Sequence, residues 1–481
     1  MPAAPRIVVI GSGVAGILTG IELRHRGLTD FTILEKADTL GGTWRDNVYP
    51  GVACDVPAHY YSYSFEPNPK WTHRFASGPQ LWDYFHHTAD KYGVTGHIRY
   101  GVEVASARWD GHAWELTTTG GERIDADVVV SCTGRLHHPS TPDIPGLDDF
   151  AGRVFHSSRW DTSVDVDGAR LGLIGTGSSA TQITAALAER VGHLDLFQRT
   201  AQWIFPMHDA KIPWWRRLML RIPAVGRRYH DSIEEWVNEI GRAATGDPKA
   251  AAERRKVCED ALAQVRDPEL RAKLTPDYEV GCKRLVISGT FYDAVQRPNV
   301  DVVTEGIERV EAGGVRTSDG VLHELDVLVL ATGFHADAYL RPMQVTGENG
   351  IGLDEIWADV PMNYKSVALP HMPNFFLVNG PFSPGGSASV LSIIETHVAY
   401  VMQLVDRIVA EDVALAPDAE RSAELLAGIR ERASATVWGT GGCSSWYLDR
   451  NGVPLVNPIL LDDLKTDMEH PVREDFVATA R

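Results

Sequence analysis

The sequence predicts an α/β protein that contains two similar βαβ units. Each unit begins with an apolar strand-like run, continues through a glycine-rich turn, and enters a helix-like run, starting near Arg6 and near Leu171. A helix-like stretch from Pro206 to Tyr278 follows the second unit. Strands that alternate with helices in this way are typical of a sheet covered by helices, so the fold class follows from the pattern alone.

The first unit joins a short strand to a glycine-rich turn and an acidic residue. Arg6–Ile10 is the strand, and the turn after it contains Gly11, Gly13 and Gly16. Glycines at this spacing allow a tight turn and let the backbone approach a pyrophosphate at a helix N-terminus. Glu35 lies 19 residues after Gly16, where a carboxylate accepts hydrogen bonds from ribose hydroxyls and repels a 2′-phosphate. The unit therefore predicts a site for FAD or NAD.

The second unit repeats the pattern but ends on the opposite charge. Its turn consists of Gly175, Thr176, Gly177, Ser178, Ser179 and Ala180. Arg199 lies 19 residues after Ala180 and is followed by Thr200. A planar, permanently charged guanidinium suits a phosphate, so this site is expected to prefer NADPH to NADH. The alternative is that Arg199 forms an ordinary surface ion pair. Two Rossmann-like sites in one chain indicate that electrons pass between two cofactors.

Composition limits the kinds of protein that this can be. At 481 residues the chain is too long for one core, so two or three domains are expected. Apolar residues make up 44% and charged residues 23%, as in soluble globular proteins. The net charge of −18 argues against nucleic acids and anionic membranes as main partners. A monomer or a small homo-oligomer is expected.

Cysteine content and the absence of long apolar runs suggest a location. The five cysteines include no Cys-x-x-Cys pair, which favours a reducing compartment and argues against a zinc site or any other metal. No run approaches the ~20 apolar residues of a membrane span. The N-terminus enters a strand almost at once, so no signal peptide is expected. Together these observations predict a cytoplasmic protein.

Two matching apolar runs suggest where the domains meet. Asp127–Gly134 and Asp326–Gly333 both read as buried strands that end in a Thr-Gly turn. We predict that the first nucleotide-binding domain is interrupted by the second, which has a helical insertion at about 206–280. The predicted segments are residues 1–140, 141–326 and 327–481, the last of which returns to the first domain and adds a C-terminal substrate and cofactor loop.

Within the predicted insertion, helical periodicity places five apolar residues on one face: Tyr229, Ile233, Trp236, Val237 and Ile240. The preceding run, Pro213–Leu220, combines tryptophans with arginines and could form a helix on a membrane surface. Because the chain is acidic, packing against the neighbouring domain is the interpretation that we favour for this run.

Two further segments carry a resemblance to a known family. Gly41–Asp55 contains a Gly-Gly-Thr-Trp run and a Tyr-Pro-Gly run before its final aspartate. The second segment matches a longer pattern through Phe150, Gly152, His156 and Trp160, followed by Asp161. In both patterns the chain resembles the type I Baeyer–Villiger monooxygenases, and the resemblance extends from Ile7 to about Trp446.

This resemblance implies an FAD- and NADPH-dependent oxygenation of a ketone to an ester or lactone. NADPH would reduce FAD, the reduced flavin would take up O2 as a C4a-peroxide, and the peroxide would attack the ketone carbonyl. One oxygen atom enters the product and the other leaves as water. The implied partners are therefore a small-molecule ketone and O2, and the protein supplies binding and electrostatics.

The resemblance also implies roles for individual residues. Arg284 is expected to stabilise the anionic peroxide and the intermediate, and Asp55 is expected to orient Arg284 and tune the flavin site. Lys283 is expected to assist Arg199 at the 2′-phosphate, and Trp446 to close over NADP and substrate on a mobile loop. The expected flavin contacts beyond the first turn are Gly42, Thr43, Trp44, Asp55, Tyr61 and Val104.

Each of these residues also has a purely structural explanation. Arg284 could be a surface arginine between domains, Asp55 a loop cap, and Trp446 a core aromatic residue. His156 has a side chain suited to general base catalysis. It lies in the connection between domains, however, so a structural or hinge role is favoured, shared with Phe150, Gly152 and Trp160.

Three other functions remain open from the sequence. The same oxygenating cofactor could oxidise sulfides or amines, the chain could be an NADPH-dependent flavin reductase that does not oxygenate, or it could be a non-catalytic dinucleotide-binding regulator. The segment Leu448–Asp463 departs from the family pattern. Because this part borders the substrate pocket in the family, the sequence does not identify the ketone.

Overall fold

The computed structural model describes residues 5–386 and 388–480, in which strands and helices alternate around each glycine-rich turn and consecutive strands form the remaining sheets. The strands are β1 (Ile7–Ile10), β2 (Phe31–Glu35), β3 (Ile98–Tyr100), β4 (Val104–Trp109), β5 (Trp114–Thr118), β6 (Arg123–Ala126), β7 (Val128–Ser131), β8 (Arg153–His156), β9 (Arg170–Ile174), β10 (His193–Phe197), β11 (Ile204–Phe205), β12 (Val286–Ile287), β13 (Val300–Val303), β14 (Ile307–Glu311), β15 (Gly314–Thr317), β16 (Leu322–Glu324), β17 (Val327–Leu330), β18 (Gln344–Thr346), β19 (Phe375–Leu377), β20 (Val413–Pro417) and β21 (Phe476–Ala480).

The helices are α1 (Val14–His25), α2 (Thr43–Asp46), α3 (Gly78–Lys91), α4 (Ser178–Leu187), α5 (Trp214–Met219), α6 (Pro223–Arg242), α7 (Pro248–Leu262), α8 (Pro268–Lys273), α9 (Phe291–Val295), α10 (Leu353–Ile356), α11 (Val390–Glu411), α12 (Ala419–Ser434), α13 (Val437–Thr440) and α14 (Leu461–Asp467).

Two five-stranded parallel sheets have the same internal arrangement. The first has the order β19-β7-β1-β2-β3, and the second has the order β8-β17-β9-β10-β13. In the first sheet β1, which precedes the glycine-rich turn, lies between β2 and β7. In the second sheet β9 lies in the same way between β10 and β17. Both β7 and β17 are the strands that lead into a Thr-Gly turn. The α/β class predicted from the sequence is therefore confirmed, whereas the domain boundaries near residues 140 and 326 stay predictions.

The first glycine of each turn is required by a close backbone approach. Gly11 has a φ of +100°, and a Cβ there would lie 2.7 Å from the carbonyl oxygen of Cys132. Gly175 has a φ of +119°, and its Cβ would lie 2.3 Å from the carbonyl oxygen of Ala331. Any other side chain would clash and strain the backbone, so the two turns are equivalent in geometry as well as in sequence.

Each sheet is also held by an equivalent arginine–aspartate pair at the start of its strands. The Arg6 backbone N–H and Nη2 donate to the Asp127 carboxylate over 2.7 and 3.0 Å. The Arg170 backbone N–H and Nη2 donate to the Asp326 carboxylate over 2.9 and 2.8 Å. Arg6 directly precedes β1, and Arg170 is the first residue of β9. Asp127 and Asp326 directly precede β7 and β17, the strands that lead into a Thr-Gly turn. The duplication thus includes side chains that fix strand register.

The core of the first sheet is closed by the long helix α11. Its buried face, which includes Ile394, Val398 and Val401, packs in one cluster with Ile17 and Ile21 of α1. Ser389 caps this helix by accepting a hydrogen bond from the Leu391 N–H over 3.3 Å. This packing anchors α1 behind the first glycine-rich turn, so the turn rests on a rigid support.

Helices α5 to α8 lie between β11 and β12, and α5 is more exposed than the sequence suggested. The exposed fractions of Trp214, Trp215 and Leu218 are 70%, 52% and 53%. The expectation that the run Pro213–Leu220 packs against a neighbouring domain is therefore wrong for these side chains. Nor is the five-residue face in α6 fully buried, because Ile233 is buried while Trp236 is exposed. Part of that face instead borders a cavity described below.

Two cysteines that are far apart in sequence form a disulfide. Cys282 and Cys443 are bonded, with their Cα atoms 6.0 Å apart, while Cys54, Cys132 and Cys258 are buried and free. The cysteine count gave no indication of this pair, and a disulfide weighs against the reducing compartment that the count favoured.

The helices of the structure agree with the lack of a long apolar run in the sequence. Among the residues described, none of the helices combines the length and apolar character that crossing a bilayer would require. The cytoplasmic location stays a prediction.

Candidate functional site

One cavity of about 1640 Å³ contains most of the predicted site residues from both halves of the chain. Those on the flavin side that line it are Gly11, Gly13, Glu35, Gly42, Thr43, Trp44, Asp55, Tyr61 and Val104. Those on the opposite side are Gly175, Thr176, Gly177, Ser178, Ser179, Arg199, Thr200, Lys283, Arg284 and Trp446. The structure therefore brings the two glycine-rich turns to a common space. The roles assigned to these residues remain predictions.

Six of the predicted residues do not line this cavity. Gly16 lies within the first turn, where an added Cβ would be 1.9 Å from the Gly11 carbonyl oxygen. Ala180 is fully buried in α4. The others, for which a hinge role is predicted, are Phe150, Gly152, His156 and Trp160. Gly16 and Ala180 thus shape the turns from behind, whereas the remaining four lie in or next to β8, the edge strand of the second sheet.

Glu35 is held by four protein donors at the end of β2. Its Oε2 accepts from the Ser12 N–H and hydroxyl over 2.9 and 2.8 Å. Its Oε1 accepts from the Ala37 N–H over 3.0 Å and from Arg45 Nη1 over 3.1 Å. Burial alone would raise the pKa of Glu35, but these donors and the Arg45 charge together lower it. Glu35 is therefore a fixed anion, and a ribose hydroxyl would share or displace one of these donors.

The second turn faces two cations. Thr176 Oγ1 donates to the Thr200 carbonyl oxygen over 2.8 Å, which ties the turn to the end of β10. Arg199 is exposed and forms no ion pair with any residue that the structure describes. The pKa of Lys283 is lowered by burial and then by the nearby charge of Arg199. This arrangement leaves two adjacent cations without a carboxylate partner, which disfavours the alternative of an ordinary surface ion pair for Arg199.

The loop from Gly41 to Asp55, which follows the first βαβ unit, forms hydrogen bonds to the helix of the second unit. The Tyr49 hydroxyl donates to Gln182 Oε1 over 2.9 Å, and Gln182 Nε2 donates to the Ala53 carbonyl oxygen over 3.0 Å. Gln182 belongs to α4, the helix that begins at the second glycine-rich turn. Burial raises the pKa of Tyr49 to about 12, so its hydroxyl stays protonated and available as a donor.

Arg284 and Asp55 meet where the two sides of the cavity join. Arg284 Nη2 donates to Asp55 Oδ2 over 2.6 Å, and the exposed fractions of the two side chains are 44% and 16%. The Asp55 charge raises the pKa of the Arg284 guanidinium, which outweighs the opposite effect of burial. A permanently charged cation is thus held at the cavity by the half-buried carboxylate of Asp55. The catalytic role of Arg284, and the alternative of a surface arginine between domains, both stay predictions.

Trp446 is placed by a residue that sequence reasoning missed. The Arg135 guanidinium carbon lies 4.7 Å from the centroid of the Trp446 ring and 5.2 Å from that of Tyr339. Arg135 follows the Thr-Gly turn after β7 and lines the main cavity, as Trp446 does. Trp446 is partly exposed rather than a core residue, whereas its neighbour Tyr447 is buried. The position of Arg135 directly after a Thr-Gly strand end was the available sequence signal.

The contacts of His156 fit a structural role better than a catalytic one. Its Nε2 donates to the Gly333 carbonyl oxygen over 3.0 Å, and its Nδ1 accepts from the Ser158 N–H over 3.1 Å. Burial lowers the pKa of His156, which favours the neutral ring that this pairing requires. Both ring nitrogens are occupied by the backbone, so the ring is held between the residues that follow β8 and the Thr-Gly turn after β17.

The cavity fits two dinucleotide cofactors better than one. Its volume of about 1640 Å³ exceeds the roughly 300–1,000 Å³ of a site for a single small ligand. One end carries the fixed anion Glu35 beside the N-terminus of α1, and the other carries Arg199 and Lys283 beside the N-terminus of α4. Helix N-termini favour phosphate groups at both ends, and the opposite charges distinguish a ribose with free hydroxyls from one with a 2′-phosphate.

Comparisons with known proteins agree with this geometry. The profile of the family described as "Flavin-binding monooxygenase-like" matches residues 4–240. A relative named an uncharacterized monooxygenase, from Mycobacterium tuberculosis, is 44% identical over 460 residues, which cover 94% of this chain and 92% of the relative. A protein of Streptomyces coelicolor named Baeyer-Villiger monooxygenase is 40% identical over 453 residues, covering 93% of this chain and 87% of that protein.

Solved structures are similar over the whole chain. A cyclohexanone monooxygenase from Rhodococcus sp. Phi1, bound to NADP+, superposes with a TM-score of 0.89 at 30% identity and covers 100% of both chains. An oxidized steroid monooxygenase bound to NADP gives a TM-score of 0.89 at 29% identity, again over 100% of both chains. The predicted fold, with its two dinucleotide-binding domains, is thereby confirmed.

Proposed function

This chain belongs to the flavin-binding monooxygenase-like family, and we propose that it is an FAD- and NADPH-dependent Baeyer–Villiger monooxygenase that converts a ketone to an ester or lactone. Its relatives include proteins that carry the name Baeyer-Villiger monooxygenase, at 37% and 40% identity. Within the family, the reaction type is assigned from the chemistry of the site in this chain.

The observation that carries the proposal is the position of Arg284 between the two glycine-rich turns. Arg284 lines the same cavity as both turns and is fixed by Asp55 over 2.6 Å. A dehydrogenase needs one nucleotide site, and a flavin reductase needs no fixed cation between its two cofactors. A permanent cation at this point is required where negative charge develops on oxygen.

The residues of the two turns supply the cofactor sites. Gly11 and Gly13 allow the FAD pyrophosphate to approach the N-terminus of α1, and Glu35 faces the adenosine ribose. Arg199 and Lys283 bind the 2′-phosphate of NADPH near the N-terminus of α4. When bound, FAD supplies the redox and oxygen chemistry that no amino-acid side chain provides.

Arg284 acts on the substrate through its charge. As the ketone carbonyl is attacked, its oxygen becomes an anion, and the guanidinium stabilises that anion without transferring a proton. Asp55 holds the guanidinium in place and keeps it charged, because the carboxylate raises the pKa of Arg284. Asp55 is therefore a positioning residue, whereas Arg284 is a catalytic one.

Residues at the opposite wall restrict water. Trp446 stacks over Arg135 at 4.7 Å, and the buried Tyr447 follows it in the chain. The aromatic rings of Trp446 and Tyr447 displace water from this part of the cavity, which strengthens the attraction between Arg284 and a developing oxyanion. Closure of the Trp446 segment over the nicotinamide and the ketone completes the site.

The test is product analysis with isotopic oxygen. The purified protein, loaded with FAD, is incubated with NADPH, ¹⁸O2 and a panel of cyclic, linear and aryl ketones. We expect a product that is heavier by one ¹⁸O atom and that hydrolyses as an ester. If NADPH is consumed and only hydrogen peroxide forms across the panel, while a sulfide or an amine is oxygenated, the enzyme is a heteroatom oxygenase instead. Protein that cannot be loaded with FAD would contradict both functions.

A further inference from the structure

A buried arginine beside the proposed site has no partner for most of its guanidinium group. Arg254 lies in α7 and only 8% of its surface is exposed. Its Nε and Nη2 atoms are buried and form no hydrogen bond in the structure. No carboxylate of the described chain pairs with it, and burial lowers the pKa of its guanidinium. Buried charges are usually paired, so this arginine lacks the partner that would offset its desolvation.

Arg254 lines a second cavity that adjoins the main one. This cavity has a volume of about 170 Å³ and shares Asp55, Arg284 and Tyr447 with the larger cavity. Much of its remaining wall is apolar, contributed by Phe205, Trp236, Ile240 and Trp438. A pocket that opens beside Arg284 and is bounded by apolar side chains is where the body of a ketone would lie.

The charges around this second cavity are unbalanced. Its cationic residues are Arg254, Lys283 and Arg284, and its only carboxylate among the described residues is that of Asp55. Asp55 already accepts a hydrogen bond from Arg284 over 2.6 Å. The positive charge of Arg254 is therefore not neutralised from within the pocket, and it favours an anionic ligand.

The backbone makes room for this arginine. Gly281 has a φ of +94°, and a Cβ at that position would lie 2.3 Å from Arg254 Nη2. Gly281 comes three residues before Arg284, so the same segment supports both guanidinium groups. A side chain at position 281 would therefore displace the guanidinium of Arg254 and strain the backbone.

We infer that Arg254 is a specificity residue which binds a carboxylate on the substrate, and that the preferred substrate is a ketone that carries this carboxylate remote from its carbonyl group. This inference rests on the proposed function, since it names the substrate class of that site. The planar guanidinium offers a fork of parallel donors that matches a carboxylate. The carbonyl would face Arg284 while the carboxylate is attracted by the charge of Arg254 at the cavity wall. Because Nε and Nη2 are covered by protein atoms, the guanidinium would turn toward the cavity to donate to this carboxylate.

Binding is the first test because it does not depend on oxygenation. The FAD-loaded protein with NADP+ is titrated by calorimetry with (3-oxocyclopentyl)acetic acid and with its methyl ester at pH 7.5. The wild type is expected to bind the acid at least about tenfold more tightly than the ester, as charge-assisted hydrogen bonds imply. Arg254→Met should abolish that preference, and Arg254→Lys, which keeps the charge but not the fork, should retain part of it.

Arg255→Met is the matched control. Arg255 is the next residue of the same helix, but it is half-exposed and already paired with Glu279. Its loss should leave the preference for the acid unchanged. Equal affinity of the wild type for acid and ester would overturn the inference, and so would a preference that survives in Arg254→Met. If Arg254→Met does not fold, Arg254→Lys takes its place, and a preference for the acid as large as that of the wild type would then overturn the inference.

Turnover then separates this inference from the proposed function. The ratio of kcat/KM for the acid to that for the ester should fall by about tenfold or more in Arg254→Met, mainly through the KM of the acid. An enzyme that binds the acid through Arg254 but oxygenates neither ketone would contradict the proposed function alone. An enzyme that oxygenates the ester as well as the acid, with no effect of Arg254, would contradict this inference alone.

Discussion

Arg284 and Asp55 form a hydrogen bond of 2.6 Å, although 229 positions separate them in the chain. Asp55 ends the loop that follows the first nucleotide-binding unit, and Arg284 comes just before β12. The bond uses only Nη2 of the arginine, so Nη1 and Nε have no hydrogen-bond partner among the described residues. The guanidinium is therefore held by Asp55 through Nη2, while Nη1 and Nε are able to donate to an oxyanion.

Replacing Arg284 should separate flavin reduction from product formation. In Arg284→Ala, NADPH should still reduce the flavin, whereas ester formation should fall by about 100-fold or more, because one fixed group that stabilises an oxyanion is worth that much. Stopped-flow absorbance measures the reduction, and mass spectrometry measures the ester. Arg190→Ala is the control, since Arg190 pairs with Asp167 at the surface of the same half of the chain. A normal ester yield from Arg284→Ala would refute the role.

Replacing Arg199 should change which nicotinamide cofactor is used. The contact with a charged phosphate is worth roughly 1.5–3 kcal/mol, so Arg199→Ala should raise the KM for NADPH by about 10- to 150-fold. The KM for NADH should change little, because NADH has no 2′-phosphate. Steady-state kinetics with both cofactors measures the effect, and Arg297→Ala, which removes a surface pair with Glu189, is the control. If the KM rises equally for both cofactors, Arg199 does not contact the 2′-phosphate.

The parts of the fold that the sequence predicted are those that depend on local pattern. Gly11 and Gly175 mark turns because a positive φ beside a backbone carbonyl admits no other residue, and the flanking apolar runs mark the strands. The approach of Arg284 to Asp55 was expected only from a family resemblance. No periodicity links residues 229 positions apart, so local pattern alone gives no information on that contact.

Other features depend on tertiary packing that no local pattern reports. Arg254 and Arg255 are adjacent arginines on one helix, yet the first is buried against Gly281 and the second is paired with Glu279 near the surface. The tryptophans of α5 were expected to be packed against a neighbouring domain because the acidity of the chain argued against a membrane surface. Much of a protein surface is apolar nonetheless, and hydrophobicity alone could not assign Trp214 to it.

Buried histidines should make the fold sensitive to acid, and His397 offers a direct test. It is fully buried, its Nδ1 accepts from the Asn379 N–H over 3.1 Å, and burial lowers its pKa to about 3. The unfolded chain binds a proton near pH 6.5 and the folded chain does not, so stability falls as pH drops below 6.5 toward 3.

Between pH 7.5 and 5.5 this difference is worth roughly 1 kcal/mol. In His397→Asn, the amide oxygen replaces Nδ1 as acceptor, and the loss of unfolding free energy over this pH range should be smaller than in the wild type by about that amount. Urea unfolding followed by tryptophan fluorescence at the two pH values measures it. The exposed His470 is the control, since His470→Gln should leave the pH dependence unchanged. Identical losses in the wild type and His397→Asn would contradict this explanation.

The Cys282–Cys443 disulfide should stabilise the fold through the long segment that it closes. Cys282 directly precedes Lys283, and Cys443 lies three residues before Trp446, so the bond connects the predicted phosphate-binding lysine to the segment that carries the tryptophan. With a separation of 161 positions between the two cysteines, the loss of chain entropy in the unfolded state corresponds to about 5 kcal/mol at most. Dithiothreitol should therefore lower the Tm of the wild type by several degrees. It should leave Cys443→Ser, whose Tm is already reduced, unchanged.

Thiol counting provides an independent measurement of the same bond. Alkylation of the denatured, unreduced protein should modify Cys54, Cys132 and Cys258 only, and prior reduction should add Cys282 and Cys443. Five alkylated cysteines without reduction would show that the bond does not form in the purified protein. Three would show that it does, and a Tm that is then insensitive to dithiothreitol would mean that the segment around Trp446 is held by packing rather than by the cross-link. Hydrogen exchange over residues 441–447, compared between the wild type and Cys443→Ser, tells whether the bond restrains that segment.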